Sequence, residues 1–175
     1  MSGVAAQDYP KLKAGQWEIT VDRGAAAKGP ASMRNTMCTD DAAQRDMIAN
    51  GMGMSRELCT RNEFRRDGAR YVGTAECRLG ESLMQSRSVM TLTGDTAYRI
   101  DISATFDPPM MGMKESRTAI SGQYVGPCRD GLVPGDIIGP NGQKANIRNL
   151  GTGAPPSRLP VPTATPTAPA KKVTP

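Results

Sequence analysis

Cys38, Cys59, Cys77 and Cys128 form an even set of widely spaced cysteines with no Cys-x-x-Cys pair among them. A zinc site built from cysteine shows close pairs, so this spacing points to two disulfides and an oxidising compartment. The rest of the composition explains why staples are needed. Valine, isoleucine, leucine and phenylalanine together number 26 of 175 residues, below the roughly 20% at which a chain has too little to build a core. The net charge of +5 is too small to complete the composition of a disordered chain, and eleven methionines supply part of the missing apolar volume. No apolar run approaches the ~20 residues of a membrane-spanning helix.

Hydrophobic periodicity predicts strands. Trp17-Glu18-Ile19-Thr20-Val21-Asp22 alternates with period two, and Met33, Asn35 and Met37 alternate with Ser32, Arg34 and Thr36 in a second strand ending at Cys38. Thr39-Asp40-Asp41 reads as a helix start, with a hydroxyl N-cap and two acids at the positive end of the dipole. Ala43 and Met47 share a helix face, and Gly51 is a stop signal. Asp67-Gly68 then predicts a hairpin between Thr60–Arg66 and Ala69–Glu76, and Gly94-Asp95 a second one. In its outgoing arm Tyr98, Ile100, Ile102, Ala104 and Phe106 face one way, until Asp107-Pro108-Pro109 ends the strand. A last strand runs from about Met111 to Tyr124. The expected fold is mainly β, an antiparallel sheet or small barrel of about seven strands with one short helix and two disulfides.

The ends differ in character from this middle. Val4-Ala5-Ala6 resembles the small-residue end of a signal peptide, so residues 1–6 read as a processing remnant. The β domain is expected over 7–137. Residues 138–175 read as a basic Pro/Thr/Ala-rich disordered tail, with seven prolines between 155 and 175. The net charge resides mostly there: residues 1–130 hold 17 basic and 16 acidic side chains, and 131–175 hold 5 and 1.

Four cysteines allow three pairings. The order of elements favours a nested one. If the first strand runs up and the second down, Cys38 lies at the bottom, and a helix of ~11 residues, about 16 Å long, returns the chain to the top. Cys59 and Cys77 then meet across the Asp67-Gly68 hairpin, and three further reversals bring Cys128 beside Cys38. Loops of ~18 and ~90 residues closed this way are worth about 3 and about 4.6 kcal/mol in the chain-entropy model.

The chain has no histidine. That removes Ser-His-Asp and Cys-His catalysis and every histidine-containing metal site. No P-loop or dinucleotide motif is present. Asp40 and Asp41 are explained as helix-start acids, and Glu76 and Glu115 are strand carboxylates with no recognisable partner. The expectation is a protein that is not an enzyme and carries no cofactor. Arg61, Arg65, Arg66 and Arg70 lie beside Phe64 and Tyr71, but Glu63 and Asp67 are interleaved, so a solvated hairpin tip is expected and no specific nucleic-acid surface.

Gly15-Gln16-Trp17-Glu18, then Cys38-Thr39-Asp40-Asp41, Cys59, Cys77, and Gly126-Pro127-Cys128 followed by Pro134-Gly135-Asp136 carry a resemblance. Their order and spacing resemble a family of small secreted bacterial proteins catalogued as a domain of unknown function, number 3617. The resemblance covers about residues 10–137. It implies a periplasmic β protein with every cysteine paired, and it supplies no activity.

Two sets of residues remain as candidate sites. Trp17, Tyr98 and Phe106 lie on apolar strand faces, where they either anchor the core or line the mouth of a small barrel holding one apolar ligand. Met52 and Met54, with Met110, Met111 and Met113, form two tight clusters beside Gly or Pro. Flexible thioethers fill gaps or coat apolar contact surfaces, and they also ligate Cu(I) in oxidising surroundings. The expected function is a periplasmic or secreted non-catalytic binding or envelope-associated module, for a small apolar ligand or a protein partner. The alternatives are a periplasmic Cu(I)-binding protein and a purely structural envelope protein.

Overall fold

Alternation sets the architecture. A computed structural model describes residues 9–24 and 29–149, with the backbone alone at 50–55. Nine strands form: β1 (Gly15–Arg23), β2 (Ser32–Thr39), β3 (Cys59–Asp67), β4 (Arg70–Leu79), β5 (Ser82–Thr93), β6 (Ala97–Met110), β7 (Met113–Gly126), β8 (Asp136–Ile138) and β9 (Lys144–Asn146). They join in one sheet of order β3-β4-β5-β6-β7-β1-β2-β8-β9, and every ladder is antiparallel. Among the described residues no ladder joins β3 to β9, so of the two expected forms the open sheet is the one adopted. The two strands beyond the expected seven are the three-residue β8 and β9.

The turns follow glycine. Gly68-Ala69 and Gly80-Glu81 link strands whose last and first residues pair, Asp67 with Arg70 and Leu79 with Ser82. Gly68 and Gly80 both have φ of 62°, which suits a hairpin turn with glycine first. The first turn therefore lies one residue later than Asp67-Gly68 suggests, because only glycine takes the left-handed position without cost. β6 also runs past its expected end. It continues through a cis Asp107-Pro108 bond to Met110. The prolines are tolerated because the β6–β7 register is interrupted between Thr105 and Met110, so no ladder bond to β7 is asked of them.

The helix α1 spans Asp41–Leu58, 18 residues. Its cap is Asp40 and not Thr39: the Ala43 N–H donates to the Asp40 carboxylate at 2.7 Å, while Thr39 closes β2 opposite Gly15. Gly51 does not stop it. The helix must connect β2 to β3, six strand spacings apart in the sheet, about 29 Å if the sheet is flat. Eleven residues reach about 16 Å and eighteen about 27 Å. Gly51 and Gly53 each cost about 1 kcal/mol in a helix. The helix is tied down by Arg148, whose Nε donates to Asp46 at 2.9 Å.

One sheet face carries the core. Trp17, Met37, Tyr71, Met90 and Tyr98 are buried together there, with Ile19, Ile100, Ile120 and Tyr124 packed around them. The N-terminal segment Tyr9–Lys13 straps this cluster. The Leu12 backbone and the Gln44 side chain of α1 exchange two hydrogen bonds, of 3.0 and 2.9 Å, and the Lys13 N–H donates to the Asp95 carbonyl. The disulfides are the nested pair, Cys38–Cys128 and Cys59–Cys77. Two disulfides fit an oxidising, non-cytoplasmic compartment, and among the described residues no helix is long and apolar enough to cross a membrane.

The chain stays folded past the boundary expected at 137. β8 pairs with β2 and with β9, and a 3-10 turn at Ile147–Asn149 buries Ile147. The polar, glycine-rich sequence there hides this, because it has no apolar alternation and Asp136, buried in it, carries no hydrophobic signal. Residues 1–6 and 150–175, the expected processing remnant and most of the expected tail, lie outside the described residues.

Candidate functional site

Trp17 is fully buried. Its Nε1–H donates to the Lys13 carbonyl at 2.9 Å, and its ring lies 5.6 Å from that of Tyr98 and 6.0 Å, edge-on, from that of Tyr124. Tyr98 lies over Gly122, its partner across β6–β7, where any Cβ would collide with the phenol ring. Burial pushes the Tyr98 phenol up to about 12. Phe106 is also buried, but it sits four rows further along β6, outside this cluster. Of the three aromatic candidates the fold thus brings Trp17 and Tyr98 together and spends both on packing.

The methionine clusters fare differently. Met110 and Met113 oppose one another across a two-residue turn. Met111 and Gly112 form that turn with φ of 52° and 84°, and Met111 is 74% exposed. Met52 and Met54 lie within α1, and their side chains fall outside the described residues. Among the described residues no three histidine, cysteine, aspartate or glutamate side chains group as a metal site. The arginine-rich β3–β4 tip is internally paired, Arg61 with Glu63 and Arg65 with Asp67, and Phe64 stacks on Tyr71 at 5.7 Å.

Asp136 is a residue that periodicity does not single out. It is 3% exposed. It accepts from the Val133 N–H and the Asn146 amide at 2.9 Å each, and from the Lys144 ammonium at 2.8 Å. Burial works to raise its pKa. The Lys144 ammonium, the Val133 N–H and the Asn146 amide outweigh that and hold the carboxyl below its ordinary value.

The polar face of the sheet holds a groove of about 620 Å³ across β5, β6, β7 and the end of β1. Arg87, Arg99 and Arg117 line it with Asp22 and Asp101, and Arg23 lies at its edge, although the register sets Arg23 on the face of Trp17. Register explains their convergence. Arg87 pairs with Ser103, and Ser103 with Arg117, so the three form one transverse row on one face. One row away Val89, Asp101 and Ala119 are aligned in the same way. Asp101 is held by Arg99, whose Nε and Nη2 donate to it at 2.8–3.1 Å. That hydrogen bond and the charge of Asp101 raise the Arg99 pKa further. Arg23, Arg87 and Arg117 have no ion pair with any described residue. Sequence reasoning misses this set because its members are distributed over four strands. The available signal was the polar half of each alternation, which becomes a site only once the register is known.

A family model, Protein of unknown function (DUF3617), matches residues 12–128. The chain belongs to this family. No curated protein and no solved structure matches it. In this DUF3617 chain the matched segment begins at Leu12, in the strap, and ends at Cys128, in the disulfide to Cys38. Several residues that carry the resemblance meet at one place. Gly15 lies against the Gly126 carbonyl and 2.6 Å from Tyr124 Cε2 as measured from an added Cβ, so a side chain has no room there. Gln16 Oε1 accepts from the Arg129 N–H at 3.1 Å, and the Cys38 carbonyl accepts from Gly135 N–H at 2.9 Å. The motif residues of this DUF3617 chain therefore close the junction of β1, β2 and the end of β7. The groove lies on the same sheet, away from that junction.

Proposed function

We propose that this protein is a non-catalytic binding module of the bacterial periplasm or extracellular envelope, and that it recognises its ligand on the polar face of the sheet. One observation carries the reading: Arg87 and Arg117, neither ion-paired with any described residue, converge with Ser103 on a groove of about 620 Å³, a size suited to a small ligand. Each projects from a sheet strand, so the backbone beneath is fixed before binding and little order is lost on association. The aromatic candidates for an apolar ligand support this choice indirectly, since Trp17 and Tyr98 are packed against one another. The test is a native mass spectrum of protein exported to a periplasm and purified without reductant. A retained small-molecule adduct that disappears in R87Q/R117Q is the expected result. An adduct equally abundant in both proteins, or none in either, contradicts the reading.

A second reading is favoured by the opposition of Met110 and Met113. Two thioethers across a tight turn form a soft pair suited to Cu(I). M110L/M113L keeps the apolar contact and removes the ligands. A Cu(I) competition titration that is unchanged by the swap, or shows no binding by the wild type, rules this reading out.

A further inference from the structure

We infer that the groove binds a phosphate-bearing anion through Arg87, Ser103 and Arg117. This rests on the reading of the groove as the recognition surface and adds the ligand's chemistry. Charge gives the sign. Of the two acids lining the groove, Asp101 is neutralised by Arg99 in a two-nitrogen clasp. Asp22 is the second acid on this face, so Arg87, Arg99 and Arg117 stand against two carboxylates, a net positive charge, and Arg87 and Arg117 have no ion pair with any described residue.

Geometry gives the class. Arg87 and Arg117 flank Ser103 on adjacent strands of one row, so their backbones are about 10 Å apart. Such a row can bring two planar guanidinium forks and a hydroxyl donor to bear on one anion. A planar carboxylate is satisfied by one such fork. A phosphate monoester presents three acceptor oxygens in a tetrahedron, enough for both forks and the hydroxyl. The neighbouring row supplies half-buried Val89 and Ala119. That apolar strip and the volume of about 620 Å³ leave room for a body attached to the phosphate. The same chemistry is offered by a soluble phosphomonoester and by the monoester headgroup of phosphatidic acid.

The test uses the full, disulfide-intact chain and four probes: glycerol 3-phosphate, malonate, and vesicles of phosphatidic acid or phosphatidylcholine. The expected result is binding of glycerol 3-phosphate over malonate, weakened about tenfold by R87Q and by R117Q. R65Q, on β3 outside the groove, leaves binding unchanged. Arginine-dependent binding to phosphatidic acid vesicles alone supports the same site with the lipid as source. Binding unaffected by R87Q and R117Q, or malonate bound as tightly as the phosphate, overturns the inference. Failure of all four probes also overturns it. If a phosphorus-free, groove-dependent adduct then persists in the native mass spectrum, the recognition surface stands and only its ligand class is wrong.

Discussion

Trp17 shows what one side chain contributes to a chain with few aliphatics. It fills the centre of the apolar face and ties the strap to β1 through its indole N–H. W17A is expected to cost about 3–5 kcal/mol and W17F about 1–2 kcal/mol, which is the indole hydrogen bond and some lost contact, both read by denaturant unfolding. Asp136 is the polar counterpart. Its carboxyl titrates lower in the folded chain than in the unfolded one. The stability it confers is therefore complete above the ordinary aspartate value of about 4 and is lost as pH falls through the lowered folded value. D136N is expected to lose about 1–2 kcal/mol at neutral pH and to flatten that acid limb in a pH series of melting curves. An unchanged acid limb would mean that Asp136 does not hold β8 and β9 in place. The tryptophan was legible from alternation. Asp136 was not, because nothing in a glycine- and proline-rich stretch announces that one acid will be surrounded by three donors.

Elements were legible where period and punctuation agree. The alternation of β6 and the pairing Cys59–Cys77 followed from residues 59–106, where strands and turns are regular. The helix length did not follow, because Gly51 is a true local stop signal overridden by the distance α1 must cover. The same is true of β6, where Pro108 ends a ladder but not the strand. The two disulfides should differ in worth. Cys59–Cys77 closes a hairpin whose turn already pairs its strands, and Cys38–Cys128 closes a loop of 90 residues. C59S/C77S is expected to cost about 3 kcal/mol and C38S/C128S about 4.6 kcal/mol, measured by denaturant midpoints without reductant. The reverse order would show that the hairpin bridge sets the register of the whole meander.

At the level of the molecule, the sheet has two unlike faces. The apolar face is consumed by α1, the strap and the aromatic cluster. The polar face carries Arg87 and Arg117, which have no ion pair with any described residue. A sequence reading weighs the apolar half of each alternation and finds the core; the other half looks like ordinary solvated charge until strand order sets Arg87 beside Ser103 and Arg117. Recognition on this polar face is most directly tested by arginine footprinting. A dicarbonyl reagent is applied to the disulfide-intact protein with and without bacterial envelope extract, and modification is read by peptide mass. Selective protection of Arg87 and Arg117 by the extract, with Arg34 and Arg78 modified as before, is the predicted result. Equal modification of Arg87 and Arg117 in both samples would contradict it.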